Sequence, residues 1–248
     1  MSAQPRRPPP PALEDNDALF LDVDGTLAAF ADDPAKVTLD DGLTDLLARL
    51  ACRLHGALAL VSGRPLAQLD RLFAPLQLPA AGLHGAQLRL AAGGPVDAGT
   101  ETPWMDELQR EAMQFARHHP GVLVEAKGSA LAMHWRRAPA AAAAVQAFVH
   151  ARSALLPGVR VQAGNHVLEL LAAGHDKGTA VTALMRTPVF NGRRPLFIGD
   201  DLTDEDGFAS AIRLGGHGVL IGERAHSHAD HTLPDVAAVH EWLRTGLR

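Results

Sequence analysis

The sequence predicts an α/β protein, a doubly wound parallel sheet core with an inserted α+β domain of αββαββ order. Three observations carry this expectation. Apolar runs without alternation recur at 18–21, 57–61, 195–198 and 219–221, each followed at once by Asp, Ser or Gly. Such runs suit parallel strands covered on both faces. Helical patterns separate them, the alternation that builds a parallel sheet. The middle of the chain breaks this rhythm with helices followed by paired short strands.

Taken in order, residues 1–14 open with Arg6-Arg7 and four prolines, Pro8 to Pro11, and read as a disordered or polyproline tail. A proline-reading partner is the alternative use of that composition. The first strand ends in Asp22-Val23-Asp24-Gly25-Thr26. Leu43, Leu46, Leu47, Leu50 and Leu54 then share one helical stripe, with Asp40 or Asp41 as its N-cap. The second strand ends in Ser62-Gly63-Arg64, and Pro65 suits the first turn of a helix carrying Leu66, Leu69 and Leu72.

Trp104, Leu108, Ala112 and Phe115 start the inserted part as a helical stripe, stopped by His118-His119-Pro120-Gly121. Strands at 122–125 and 130–135 flank the turn Lys127-Gly128-Ser129. An alanine-rich helix over 138–155 turns Val145, Phe148 and Val149 inward until Pro157-Gly158 breaks it. A second hairpin joins 159–162 to 166–171. Val181, Leu184 and Met185 mark a helix after Lys177-Gly178. The third strand ends in Gly199-Asp200-Asp201 and the fourth in Gly222. The expected organisation is a tail over 1–14, core over 15–100, insertion over 101–171 and core again over 172–248.

Composition narrows the function. Of 248 residues, 47% are apolar, enough for a sizeable core, and the net charge of −5 argues against general nucleic-acid binding. Cys52 is the single cysteine, so no disulfide framework exists. The 13 histidines show no HExxH or comparable zinc spacing. With no signal-like segment and no apolar stretch of spanning length, a cytoplasmic location without membrane contact is expected. The sequence sets no oligomeric state.

Ligands of open α/β sheets bind beyond the carboxyl ends of the strands. Asp22, Asp24, Ser62, Asp200 and Asp201 all fall just past those ends. Two carboxylates two residues apart repel unless a cation or a proton lies between them. The set suits phosphoryl transfer, with Asp22 as nucleophile and Asp24 as acid and base. Mg²⁺ prefers oxygen ligands, which Asp22 and Asp200 supply as side chains and Asp24 as a backbone carbonyl. Ser62 and Lys177 are donors to phosphoryl oxygens, Lys177 at a helix N-terminus that favours the same anion. Read singly, each has a plainer role. Ser62 suits a turn hydroxyl and Lys177 a solvated first turn. Asp201 and Asp204 suit a helix N-terminus, and Arg64 suits a partner for a sheet carboxylate.

These residues resemble the four motifs of the haloacid dehalogenase-type phosphatases. Asp22 to Thr26 resembles the first, Ser62 the second, Lys177 the third and Gly199 to Asp204 the fourth. The insertion is similar to the C2-type cap of that superfamily. A more specific resemblance, to the trehalose-6-phosphate phosphatase family, covers nearly the whole chain after the tail. It rests on Val61-Ser62-Gly63-Arg64, Gly82-Leu83-His84-Gly85-Ala86, Glu125-Ala126-Lys127-Gly128, His134-Trp135-Arg136, Leu168-Glu169-Leu170, Asp176-Lys177-Gly178 and Gly199 to Glu205. Ala172 stands where that family commonly has proline nearby.

The resemblance implies a Mg²⁺-dependent phosphatase acting on a small sugar phosphate, with a trehalose-6-phosphate synthase as pathway neighbour. It implies Asp201 and Asp204 as support for the metal shell. It also implies Thr26, Arg64 and His84 as ligand contacts, and Glu125, Lys127, Arg136 and Glu169 as sugar readers. Such polar side chains suit a hydroxyl-rich ligand, because each buried hydroxyl needs a partner. The rival readings are a phosphatase for sucrose-6-phosphate or mannosyl-3-phosphoglycerate, and a non-catalytic regulatory module on the same fold.

Overall fold

The computed structural model describes residues 7–29, 37–97, 104–126, 130–164 and 166–247, and the structural statements below refer to these. The chain divides into two compact units, Met1–Asp97 with Asp176–Arg248, and Ala98–His175. The second unit reaches a little past both ends of the span 101–171.

The strands of the larger unit are β1 (Asp17–Leu21), β2 (Leu58–Val61), β3 (Ala80–Gly82) and β4 (Gln87–Arg89), then β9 (Arg194–Gly199), β10 (His217–Ile221) and β11 (His231–Leu233). Those of the smaller unit are β5 (Leu123–Ala126), β6 (Ala130–His134), β7 (Val159–Gly164) and β8 (Val167–Ala172). The large sheet runs β11-β10-β9-β1-β2-β3-β4. Its pairs are parallel except β3 with β4, which is antiparallel at one edge.

β1 and β2 are buried at every position, which fits the unbroken apolar runs 18–21 and 58–61, and the buried Asp17 that opens β1 is paired with Arg194. From β1 the chain winds toward β2 on one side, and from β9 toward β10 on the other. Right-handed crossovers in opposite directions place helices on opposite faces and leave a crevice where the direction changes. That switch lies between β1 and β9. The helices are α1 (Leu43–Arg53), α2 (Leu66–Leu72), α5 (Lys177–Met185), α6 (Glu205–Arg213) and α7 (Val236–Thr245). α1 packs with α7 and α5 with α6.

In the smaller unit, α3 (Met105–Arg117) and α4 (Ala142–Ser153) lie against an antiparallel sheet of order β5-β6-β8-β7. Leu131, Met133, Leu168 and Leu170 from one face of that sheet share a core with Leu108, Ala112, Val145 and Val149 of the helices.

Some local expectations are corrected. Residues 7–14 are not a loose tail. The Arg7 guanidinium donates to the carbonyls of Ala229, Arg224 and Ser227. The carbonyls of Pro8 and Pro11 accept from the Thr232 N–H and the Trp242 indole, and Leu13 is buried. An extended proline segment makes no internal hydrogen bonds, so its carbonyls are open to such donors. Neither Asp40 nor Asp41 caps α1. Gly42 occupies that position in the left-handed region at φ 80°, where glycine carries no Cβ penalty. Pro65 stands one place before α2, and 139–141 form a separate 3₁₀ turn ahead of α4. The three-residue strands β3, β4 and β11 are too short to leave a periodic signal. The turn 127–129 and Asn165 lie outside the described residues.

Candidate active site

The register levels the central strand ends. Leu21 pairs with Leu60 of β2 and with Ile198 of β9, and the Asp22 N–H donates to the Ile198 carbonyl at 3.0 Å. Asp22, Ser62 and Asp200 thus follow the ends of three adjacent strands. Gly25 turns the chain at φ 85°, and a Cβ there would overlap the Asp200 carboxylate. Glycine is needed for the turn and for the close approach.

Lys177 is the centre of the arrangement. Its Nζ donates to Asp22 Oδ1 at 2.7 Å and to Asp204 Oδ1 at 2.6 Å, with all three side chains at 5% exposure or less. α5 presents it from its first residue, behind an Asp176–Thr179 capping box. Burial alone would lower the Lys177 pKa, but the Asp204 and Asp22 carboxylates outweigh it and the group is raised. Removing one partner from a buried pair costs about 3–5 kcal/mol, so the ammonium is held firmly. Burial, with Asp204 and Asp200 adding to it, pushes Asp22 well above the usual carboxylate range against the pull of Lys177. Asp200 is pushed up to about 7, by burial first and then by Asp204.

Asp204 and Asp201 take structural parts. Asp204 Oδ2 accepts the N–H groups of Asp200 and Asp201 at 3.0 and 2.9 Å, so one buried carboxylate fixes both Lys177 and the turn carrying Asp200. Asp201 is exposed, and its Oδ1 accepts from the Leu202 N–H at 2.7 Å. It caps the 3₁₀ turn Leu202–Asp204, as an aspartate before a helical turn does. Thr26 is fully buried, and its hydroxyl donates to Asp200 Oδ1 at 3.5 Å.

Arg64 forks Asp24, Nε to Oδ2 at 2.7 Å and Nη2 to Oδ1 at 2.6 Å. The reading as a carboxylate partner is therefore the one observed, and this bidentate geometry sets the plane of the Asp24 carboxyl. Ser62 is buried, and its Oγ accepts from the Arg64 N–H at 3.2 Å. His84 sits at φ 55° with its N–H on the Ser62 carbonyl, and its ring occupies the space a Cβ on Gly63 would need.

Arg224 was missed in the sequence. It donates to the carbonyls of Asp200 and Asp201, at 2.5 and 3.2 Å, and to Glu205 Oε1 at 2.8 Å. Its position two residues past Gly222, at another strand's carboxyl end, was the available signal.

A metal fits this donor set. Oxygens of Asp22, Asp200 and Asp204 lie within 4.8 Å of one another. Three carboxylates gathered around one lysine leave excess negative charge, and burial first, then the neighbouring carboxylates, raises Asp22 and Asp200. All-oxygen donors favour a hard divalent cation. The Asp24 carboxylate lies on Arg64 and is not in that group.

In the smaller unit, the register sets Glu125, Ala132, Glu169 and Gln162 in one row across β5, β6, β8 and β7. This row lies on the face opposite the helices. Glu169 is buried at 8% exposure, and His134 Nε2 is 3.2 Å from Glu125 Oε2. Arg160 Nη1 donates to Gln162 Oε1 at 2.6 Å, on the same face. Arg136 is half-buried just past β6, while Lys127 lies outside the described residues.

Comparison with known proteins agrees with this picture. The family model described as trehalose-phosphatase matches residues 20–233. The chain is 38% identical over 233 residues to the trehalose-6-phosphate phosphatase of Escherichia coli K12, covering 94% of this chain and 87% of that one. It is 42% identical over 209 residues to a probable trehalose-phosphate phosphatase of Sinorhizobium fredii, covering 84% and 78%. A solved C-terminal domain of a trehalose-6-phosphate phosphatase from C. albicans shares the fold, with a TM-score of 0.81 at 23% identity over 98% of this chain and 99% of that one. No helix among the described residues is long and apolar enough to cross a membrane. The chain belongs to the trehalose-phosphatase family.

Proposed function

We propose that this protein hydrolyses trehalose 6-phosphate to trehalose and phosphate through a covalent phosphoryl intermediate on Asp22. The observation that carries this reading is the buried Asp22–Lys177–Asp204 bridge at the sheet's switch point, in a chain of this family. Lys177 engages Oδ1 of Asp22, and the attack is assigned to Oδ2. The Asp22 oxygen forms a bond to phosphorus as the bond from phosphorus to the sugar oxygen breaks. Asp24 gives its proton to that leaving oxygen. Asp24 then takes a proton from water, whose oxygen displaces Asp22 and releases phosphate. Arg64 orients Asp24 through both steps, and Ser62 and Lys177 donate to phosphoryl oxygens as charge shifts.

Mg²⁺ is the cation that best suits the all-oxygen set, held by Asp22, Asp200 and the Asp24 carbonyl, and when bound it would neutralise phosphoryl charge. Asp204 keeps Lys177 and the Asp200 turn in place. Glu125, Lys127, Arg136 and Glu169 are proposed to read the sugar hydroxyls. A trehalose-6-phosphate synthase would supply the substrate.

The test is phosphate release across trehalose 6-phosphate, sucrose 6-phosphate, mannosyl-3-phosphoglycerate and glucose 6-phosphate with Mg²⁺ present. We expect kcat/KM for trehalose 6-phosphate to exceed the others by about 10²-fold or more, the discrimination polar pockets achieve. A preference for the monosaccharide phosphate overturns the disaccharide assignment.

A further inference from the structure

We propose that His217, Asp230 and His231 form a second divalent-metal site, selective for zinc-like ions, at the amino ends of β10 and β11. Ligand atoms of the three lie within 4.8 Å of one another. His217 opens β10 and His231 opens β11, and Val219 pairs with His231, so both imidazoles rise from the same face of the sheet. Their rings stand edge to face with centroids 4.8 Å apart. Asp230 comes from the turn that enters β11, while Asp22, Ser62 and Asp200 belong to the opposite, carboxyl ends of the strands.

The hydrogen bonds prepare these groups as ligands. His231 Nδ1 is 3.0 Å from the Pro9 carbonyl, which can only accept, so Nδ1 carries the hydrogen. Nε2 is then the nitrogen left to bind a metal. That nitrogen faces Asp230 Oδ2 at 3.7 Å. A metal ion on Nε2 would meet that carboxylate as its next ligand. The outer nitrogen of a metal-bound histidine usually donates to a carbonyl in this manner.

Asp230 is fixed as well. Its Oδ1 accepts the Gly218 N–H at 2.9 Å, and its own N–H returns to the Gly218 carbonyl at 3.1 Å. Oδ2 is left pointing to the two rings, with His217 Nδ1 at 2.7 Å. On loading, His217 takes the tautomer with hydrogen on Nε2, and Nδ1 becomes the third donor. Two imidazole nitrogens and one carboxylate oxygen suit Zn²⁺ and not Mg²⁺. Tetrahedral bonds of ~2 Å set ligand atoms about 3.3 Å apart, a small adjustment from the observed spacings. Exposed Asp230 would leave the fourth position to water. The ion would fasten the chain around Pro9 to the edge of the sheet, a structural role.

The experiment is zinc uptake by the whole protein after chelation, in excess Mg²⁺, with bound zinc measured after gel filtration and unfolding followed by heating. The wild type should retain one equivalent more than His217→Gln and His231→Gln. Zinc at ~100 times Kd should raise its Tm by on the order of 5 °C, with no rise in the variants. Asp22→Asn should keep the extra equivalent. Because His231 also anchors Pro9, His217→Gln serves as the variant that leaves that contact intact. Equal uptake by the wild type and both histidine variants overturns the proposal. So does no uptake by the wild type, or loss of the equivalent in Asp22→Asn.

Discussion

The two units spend their polar residues in different ways. In the larger unit, the charged groups of the site hold one another: Lys177 bridges Asp22 and Asp204, and Arg64 forks Asp24. In the smaller unit, the polar groups stand in register across a sheet, with Glu125 and Glu169 in one row and His134 and Arg160 beside it. A reaction centre gains from fixed charges, because donors already oriented need not reorganise as charge moves. A surface that reads hydroxyls gains from spaced donors and acceptors instead. The difference suggests that the chemistry and the choice of substrate can be lost separately.

The largest effect expected is from Asp22→Asn. It removes the proposed nucleophile and one of the carboxylates that hold Lys177, so Mg²⁺-dependent release of phosphate should fall by ~10⁴-fold or more on every substrate. Retention of the wild-type rate would take Asp22 out of the mechanism. A smaller and selective effect is expected from Glu169→Gln and Lys127→Ala. Losing one hydrogen bond to a charged group is worth about 1.5–3 kcal/mol, or ~10–100-fold, and should reduce kcat/KM for trehalose 6-phosphate alone. An aryl phosphate measured in parallel should change by less than ~3-fold, and an equal loss on both would erase the contrast between the units.

The smallest effect is a pH dependence of Mg²⁺ affinity, read by calorimetry. Asp200 titrates at about 7 against an ordinary value of 3.8, because burial and Asp204 disfavour its charge. Bound metal requires the carboxylate, so affinity should fall about tenfold per pH unit below 7 for each proton displaced. Stability of the metal-free protein runs the other way. Between pH 3.8 and 7 the folded chain holds a proton on Asp200 that the unfolded chain has released. The stabilisation is therefore full below the lower value and is lost as pH rises through the higher. Affinity that stays flat from pH 5.5 to 8 would remove Asp200 from the metal site.

Much of this was legible in the sequence because strand ends announce themselves. Asp22, Ser62 and Asp200 follow unbroken apolar runs, and the parallel register then had to level them. The partnerships were not legible. Lys177 and Asp22 are 155 positions apart, and nothing local says which carboxylate an ammonium meets. Nothing local to Arg64 says that its guanidinium meets Asp24, 40 positions away. Asp201 and Asp204 are three apart in one turn, yet one is exposed and caps backbone while the other is buried and holds Lys177. Burial separates them, and composition within a turn does not reveal it. The short edge strands β3, β4 and β11 and the contacts of residues 7–14 also escaped, since three residues show no period and proline content alone reads as disorder.

The prolines beside β11 have one more consequence. Pro8 gives its carbonyl to the Thr232 N–H of that strand, but a proline has no N–H to offer in return. A strand from another molecule arriving there would find no N–H on Pro8 to Pro11, and the carbonyls of Pro8, Pro9 and Pro11 already taken within the chain. The parallel sheet, otherwise open on that flank, is sealed against growth by chain that can pair inward and not outward.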